Sequence, residues 1–225
     1  MRIYRPKLNT VTLITVAGVK PFSALRAVLI SVCRARFASI VIVTSFFPKC
    51  KVGKFRFERP QNSDLKSMEK YNKYVLYQLY QHIFTDHCLV IQADGYVLNG
   101  ASWSDTFLEF DYIGAPWPIL ENAYIDPFGI HQRVGNGGFS LRSRKLLQVP
   151  ISVEIPWEVN SGNFYNHFNS GSNSEDGNIC VHNRHLFEQQ GCAFAPLEIA
   201  LKFSSELDVK ERIAGKTFGF HRYKP

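Results

Sequence analysis

The sequence predicts an α/β fold, built as a parallel sheet flanked by helices within a single domain. Three observations carry this expectation. Two β-branched runs, at Thr10–Val16 and Ala38–Ser45, flank a helical stretch at Pro21–Phe37, the signature of a parallel βαβ unit. A third apolar run, Cys88–Gln92, follows a second amphipathic segment. The chain of 225 residues, 45% of them hydrophobic, is long enough to bury a sizeable core, which excludes a disordered protein.

The first strand is read from Val11, Leu13, Ile14 and Val16, and it ends in Ala17-Gly18. The second is read from Ile40, Val41, Ile42 and Val43. Ligands of such sheets bind beyond the carboxyl ends of the strands, here near Thr15, Val16 and Ala17 and near Thr44–Phe46. Phe47–Ser63 is basic and punctuated by proline, which reads as a surface loop. Asp64–Phe84 carries Leu65, Met68, Tyr71, Val75, Leu79 and Ile83 at three- and four-residue steps, the spacing of an amphipathic helix, with Ser63 or Asp64 as its cap. The third strand stops at Asp94-Gly95. Beyond Gly100 the pattern turns to aromatics and turn residues. Asn160–Ser174, rich in Asn, Ser and Gly, reads as a mobile loop. Ser174 caps a helix over Glu175–Gln190, and Ala193–Phe203 holds the last strand. No internal repeat is visible, so residues 1–225 are read as one domain.

A net charge of +7 points to polyanionic partners, whether nucleic acid, anionic lipid or phosphorylated substrate. The basic residues fall in several clusters, the richest at Lys49–Arg59 and Lys210–Lys224, and a solvated basic face explains each equally well. The five cysteines form no CxxC pair and no disulfide-scaffold spacing, so a reducing compartment is expected. Neither a signal peptide nor a membrane span is read, because Arg26, Arg34 and Arg36 interrupt the most apolar stretch.

Four short motifs carry the chemistry. Asp94, at the tip of an apolar strand before Gly95, is well placed for a hard divalent cation, though an ordinary turn acid looks the same. Gly135-Asn136-Gly137-Gly138 supplies backbone tolerant of positive φ and N–H donors for a ligand. It matches neither a Walker loop nor a dinucleotide fingerprint, and a hairpin turn has similar composition. Glu175-Asp176 suits a general base or, equally, the first turn of a helix. His221 follows Phe218-Gly219-Phe220, which can fix its backbone, while a late lone histidine is also a common surface residue. Trp117, between two prolines, is either a sugar-stacking face or a buried aromatic. Arg142 is either a phosphate or acceptor contact or an exposed strand residue. His182 and His185 share a helix face without companion ligands and read as helix-surface residues.

Taken in order, these motifs resemble the shared core of GT-A fold glycosyltransferases. The strings Asp111-Tyr112-Ile113-Gly114-Ala115-Pro116-Trp117 and Val134-Gly135-Asn136-Gly137-Gly138-Phe139-Ser140-Leu141-Arg142-Ser143 look like a glycosyltransferase-like family known mostly as a domain of unknown function. The resemblance spans Val11–His221. It implies a GT-A-like, Rossmann-like single domain with a mixed, mostly parallel sheet. It further implies that Asp94 and His221 hold Mn²⁺ or Mg²⁺ on the diphosphate of a nucleotide-sugar donor. Gly137 and Gly138 would then lie beside the donor sugar with Asn136, and Asp176 would be the catalytic acid of the Glu-Asp motif, with Glu175 beside it. Gln92 stands where that family's first metal-binding Asp would be; it can bond a ribose hydroxyl but supplies no carboxylate.

The activity so implied is transfer of a sugar, with inversion, to a glycan or lipid-linked acceptor. Manganese-assisted polysaccharide biosynthesis at the cytoplasmic side of a membrane, by a peripheral protein that binds no nucleic acid, completes the expectation. A sugar nucleotidyltransferase is the first alternative, opposed by the poor match of Ala17-Gly18-Val19-Lys20 to a basic, Gly-rich signature. A non-catalytic glycan- or nucleic-acid-binding module is the second.

Overall fold

A computed structural model describes residues 5–61, 65–121, 123–157, 174–207, 209–211 and 217–222. Its centre is β1 (Lys7–Val16), followed by α1 (Pro21–Arg34) and β2 (Arg36–Val43), the βαβ unit read from the sequence. From Val11 onward β1 is almost completely buried, so its apolar run is continuous rather than alternating, as a parallel strand covered on both faces requires. Pro21 sits in the first turn of α1, where a missing N–H costs nothing.

The remaining strands are β3 (Cys50–Val52), β4 (Phe55–Glu58), β5 (His87–Ile91), β6 (Gly95–Val97), β7 (Tyr112–Ile113), β8 (Phe139–Ser143), β9 (Ser204–Ser205) and β10 (Gly219–His221). Seven of them form the central sheet in the order β3-β4-β2-β1-β5-β8-β7. The core of that sheet, β4, β2, β1 and β5, is parallel, while β3, β8 and β7 pair antiparallel. A smaller sheet, β6-β10-β9, hangs beside it. The architecture is a mixed, mostly parallel sheet flanked by helices, as expected.

Several boundaries differ from the sequence reading, each for a physical reason. The stretch at 47–63 is not all loop: β3 and β4 form a hairpin, and β4 extends the parallel sheet beside β2. Arg56 is tolerated on that strand because its guanidinium donates to the His82 carbonyl at 2.6 Å and lies over the Phe84 ring. Helix α2 runs over Met68–Tyr77 and starts later than expected, since Leu65 has a left-handed φ of 48°. Ser67 caps it by accepting from the Lys70 amide at 3.2 Å, whereas Ser63 and Asp64 lie outside the described residues.

After α3 (Arg144–Ser152), the helix expected over 175–190 is broken into α4 (Glu175–Gly177), a π-helical turn (Asn178–His182) and α5 (Arg184–Gln189). The loop preceding it falls almost entirely outside the described residues. Residues 193–203 are not a strand. They contain α6 (Leu197–Phe203), which starts after Pro196 and buries Ala200 and Phe203 at helical spacing. His182 is buried rather than on a helix surface, and burial lowers its pKa to about 4. Cys88, Cys180 and Cys192 are buried free thiols, and Cys33 and Cys50 are exposed. Among the described residues no helix is long and apolar enough to cross a membrane.

One aromatic cluster links the core to the ends of the chain that matter below. Phe107, Phe139, Phe203 and Phe218 are essentially inaccessible. Phe203 stands edge-on to Phe107 at 5.3 Å and tilted against Phe139 at 5.4 Å. Phe139 opens β8, and Phe218 immediately precedes β10. Truncation of Phe203 to Ala removes the ring common to these contacts and is expected to cost about 3–5 kcal/mol, measured as a shift of the urea unfolding midpoint with unchanged slope.

Candidate active site

The fully buried β5 delivers Gln92, Ala93 and Asp94 just beyond its carboxyl end. Chain reversal there begins β6, which pairs antiparallel with β10 and puts Gly95 opposite His221. The glycine loop arrives from a third direction, because β8 runs antiparallel to β5 and therefore starts where β5 ends. The Gln92 amide donates to the Gly138 carbonyl at 2.9 Å. Three motifs distant in sequence thus share one edge of the sheet.

The glycines of that loop are needed for room, not for left-handed backbone. The positive φ, 62°, belongs to Asn136. A Cβ at Gly138 would lie 2.3 Å from the His221 ring, and one at Gly137 would lie 2.0 Å from the Glu175 carboxylate. Any side chain at either position would push a site residue away.

His221 is held from both sides. Its Nδ1 lies 2.9 Å from Glu206 Oε1, while Nε2 lies 3.1 Å from Asp94 Oδ1 and 3.1 Å from Gln92 Oε1. Burial alone would lower its pKa, but hydrogen bonds to Asp94 and Glu206 overcome this and raise it to about 9. In turn the hydrogen bond to His221 lowers the pKa of Asp94, whose side chain remains 57% exposed.

One carboxylate, one amide oxygen and one imidazole meet here, a set with a single carboxylate to offer a divalent ion. Asp94, Gln92 and His221 Nε2 converge on one place, and Glu206 orients the imidazole from behind as an outer-shell carboxylate does. The third corner of the triangle is an amide. Among the described residues, no group of three His, Cys, Asp and Glu side chains is placed to hold a metal.

The second acidic motif divides into an inward and an outward residue. Glu175 is 3% exposed and bonds the guanidinium of the fully buried Arg142 at 2.9 Å. Arg142 also donates to Ser140 Oγ at 2.9 Å and lies over the Tyr112 ring. Burial, and next the neighbouring Asp176 carboxylate, push the Glu175 pKa up against the opposing pull of Arg142. Asp176 points the other way: its Oδ2 accepts from the Gly137 amide and its Oδ1 from the Gly177 amide, each at 2.8 Å. It is half-buried. Since Gly137 is followed by the Gly138 carbonyl that binds the Gln92 amide, Asp176 and the β5 tip are tied through two residues of backbone. The π-helical turn that follows Asp176 is an irregularity often found at functional sites.

A cavity of about 380 Å³ opens beside these groups, within the range of small-molecule sites. Its walls are the loop after β1 from Val16 to Lys20, the start of α2, and Gln92–Asp94. Val16 and Ala17 therefore stand where the sequence suggested. Thr15 does not: its side chain is fully buried, and its hydroxyl has no hydrogen-bond partner among the described residues. Asn136 is also turned inward, with its Oδ1 accepting from the Gly138 amide at 3.0 Å. Trp117 is 2% exposed and stacks on Tyr124 at 4.4 Å and 12°, so its face is used inside the protein rather than offered to a sugar. Arg142 is neither a phosphate contact nor an exposed strand residue, and Glu175 is its buried counterion instead of a base.

Tyr71, Lys20, Lys66 and Glu206 were missed in the sequence. Tyr71 lines the cavity, and its hydroxyl accepts from Gln92 Nε2 at 3.1 Å. Helical spacing marked it as core, which is the same signal a residue on the inner face of a cavity-lining helix gives. Glu206 carries no local motif at all; only the pairing of β10 with β9 brings His221 to it.

Two outcomes follow from these electrostatics. His221 binds its proton more tightly folded than unfolded, so its stabilisation is complete below about pH 6.5 and is lost as pH rises through about 9. In chelator, unfolding free energy is expected to drop by on the order of 3 kcal/mol across that window, and the drop should vanish in His221→Gln. Glu175→Gln leaves the Arg142 charge buried without its counterion and is expected to cost about 3–5 kcal/mol in chemical denaturation.

Comparison with known proteins agrees with the architecture. The chain is similar to the galactosyltransferase LgtC in complex with donor and acceptor sugar analogs, with 12% identity and a TM-score of 0.52 over 95% of this chain and 87% of that one. An active-site mutant of LgtC aligns at 13% identity and a TM-score of 0.50 over 95% and 88%. A 2-C-methyl-D-erythritol 4-phosphate cytidylyltransferase from Thermus thermophilus aligns at 13% identity and a TM-score of 0.45 over 96% and 93%. At such identities the likeness to LgtC concerns the fold, which is GT-A-like. No curated protein matches the chain. Residues 54–221, which include Gln92, Asp94, the glycine loop, Asp176 and His221, match one family model, and the chain belongs to that family, described as a protein of unknown function (DUF5672).

Proposed function

We propose that the protein is a nucleotide-sugar-dependent glycosyltransferase that transfers a sugar, with inversion, to a hydroxyl of a glycan or lipid-linked acceptor. The observation that carries this reading is the convergence of Asp94, Gln92 and His221 at the sheet edge, beside a cavity walled by the loop after β1. The fold shared with LgtC, whose structure holds donor and acceptor sugar analogs, supports it.

In this reading the nucleoside occupies the cavity between the β1 loop and α2, and the diphosphate reaches toward Asp94. Lys20 and Lys66 supply positive charge along the cavity wall, which favours the dianionic leaving group as its charge develops. Gln92 is already bonded to the Tyr71 hydroxyl and to the Gly138 backbone, so its amide is fixed for bonding a ribose or diphosphate oxygen. Asp94, Gln92 and His221 would hold Mn²⁺ or Mg²⁺, which as a Lewis acid offsets charge on the diphosphate. Holding it requires His221 to give up the proton at Nε2, with Nδ1–H kept on Glu206.

Asp176 takes the proton of the acceptor hydroxyl. Its carboxylate is steadied by the Gly137 and Gly177 amides, so little reorganisation is needed for it to act. Arg142 and Glu175 set that geometry from the interior, since Glu175 fills the space that the missing Cβ of Gly137 leaves. Synthesis of a surface polysaccharide at the cytoplasmic face of a membrane is the setting we propose, with no role for nucleic acid.

The test is a screen of nucleotide sugars, with and without Mn²⁺, for released nucleoside diphosphate. Metal-stimulated release, with product of inverted anomeric configuration, is the expected outcome. Release of pyrophosphate would indicate a nucleotidyltransferase, and no turnover with any donor would leave a binding module. Asp176→Asn is expected to lower kcat by about 10²–10⁴-fold with the fold unchanged by circular dichroism; near-normal turnover in that variant would overturn the assignment of the base.

A further inference from the structure

The mouth of the cavity carries a pattern that the transfer reaction itself does not use. Val19 and Phe22 follow β1, Phe46 follows β2, and Met68 opens α2; all four are 58–73% exposed. Scattered exposed apolar side chains are ordinary, but these share one edge of the sheet. Val19 and Met68 also line the cavity, so the apolar rim is continuous with it. Phe22 is braced edge-on against Phe47 at 5.8 Å, and Phe47 against Phe57 of β4 at 5.6 Å, so the rim is fastened to the central sheet.

Cations are interleaved with these side chains. Lys20, Lys49, Arg59 and Lys66 are all exposed along the same edge, Arg59 directly beyond β4 and Lys49 at 3.5 Å from Glu58. The acids on this side already have partners: Glu69 pairs with Lys73 at 2.6 Å, Glu58 with Lys49, and Asp94, inside the cavity, with His221. Separate apolar side chains, spaced by basic ones, do not make the contiguous packed core that a protein partner requires. Nucleic acid would satisfy the cations but leave Val19, Phe22 and Met68 with nothing to bury against. The headgroup–acyl boundary of an anionic bilayer satisfies both kinds of side chain at once.

We propose that this edge is a membrane-contact face. Phe22 and Phe46 enter the interface of an anionic lipid surface, Lys49 and Arg59 lie against its headgroups, and the cavity opens toward the bilayer. A soluble α/β unit is thereby held on the membrane by one face. Presentation of a lipid-linked acceptor at the cavity mouth rests on the transferase reading above; the lipid binding does not.

The test is flotation of the full chain with vesicles of phosphatidylcholine alone and of phosphatidylcholine and phosphatidylserine in equal parts. Binding is expected only to the mixed vesicles, and salt should weaken it. Lys49→Ser with Arg59→Ser should lower the partition coefficient about twenty-fivefold, roughly fivefold for each charge. Phe22→Ser with Phe46→Ser should lower it about tenfold or more. None of these four residues lines the cavity, so release of nucleoside diphosphate in solution should be unchanged in both variants. Absence of binding to mixed vesicles would overturn the inference. So would binding that survives the phenylalanine substitutions, since that would show charge attraction alone. Vesicle binding without turnover of any nucleotide sugar would sink the transferase reading and leave the membrane face standing.

Discussion

Everything at the candidate site depends on backbone approaching side chains where no Cβ fits. The ring of His221 lies against the bare Cα of Gly138, and the Glu175 carboxylate against that of Gly137. Together with the Gln92 amide to Gly138 carbonyl bond, the first contact sets the distance between three stretches of chain that have no covalent reason to meet: the tip of β5, the loop before β8 and the last strand. Packing of this kind is close to all-or-none, because dense interiors do not yield gradually. The glycines therefore act as spacers of zero thickness. The left-handed conformation usually invoked for such loops falls on Asn136, whose side chain stabilises it by bonding the Gly138 amide.

Around that contact the charges are arranged in two registers. Arg142 and Glu175 form a closed pair in the interior, where neither is within reach of solvent. A pair in such a place contributes position more than stability, since desolvation offsets most of its attraction. Asp94, Glu206 and His221 form an open group in which one carboxylate is buried and the other faces the cavity. The buried one holds the imidazole at Nδ1, and the exposed one meets it at Nε2 while facing the cavity. The division of labour parallels that of Glu175 and Asp176, adjacent in sequence and opposite in direction.

The sequence displayed the central strands well because they are buried on both faces, and β-branched enrichment marks short runs such as Val11–Val16 as strands. It displayed the four motifs as well, but not their orientation. Glu175 and Asp176 are indistinguishable as letters; the difference is made by Arg142, which lies 33 positions away in the chain. Trp117, between two prolines, reads equally as a sugar-stacking face or a buried aromatic, and the stacking of Tyr124 on it decides for the second. The segment at 193–203 misleads because a short, mainly apolar stretch has no resolvable period, and Pro196 starts a helix there rather than breaking a strand. Glu206 is beyond any one-dimensional reading, since a pairing of two-residue length delivers it.

Because β8 runs against β5, its two ends carry different burdens. In an all-parallel sheet the two ends of each strand belong to two different edges, and only the loops that follow strands meet a ligand. Here the loop preceding β8 joins the ligand edge, while the turn following it, into α3, emerges on the opposite side beside the start of β5. Changes of chain length on either side of this single five-residue strand are thus felt in opposite hemispheres of the molecule. One extra residue between Ser143 and Arg144 would break the Ser143 cap of α3 on the far side, whereas one before Phe139 would displace Gly137 and Gly138 from Glu175 and His221.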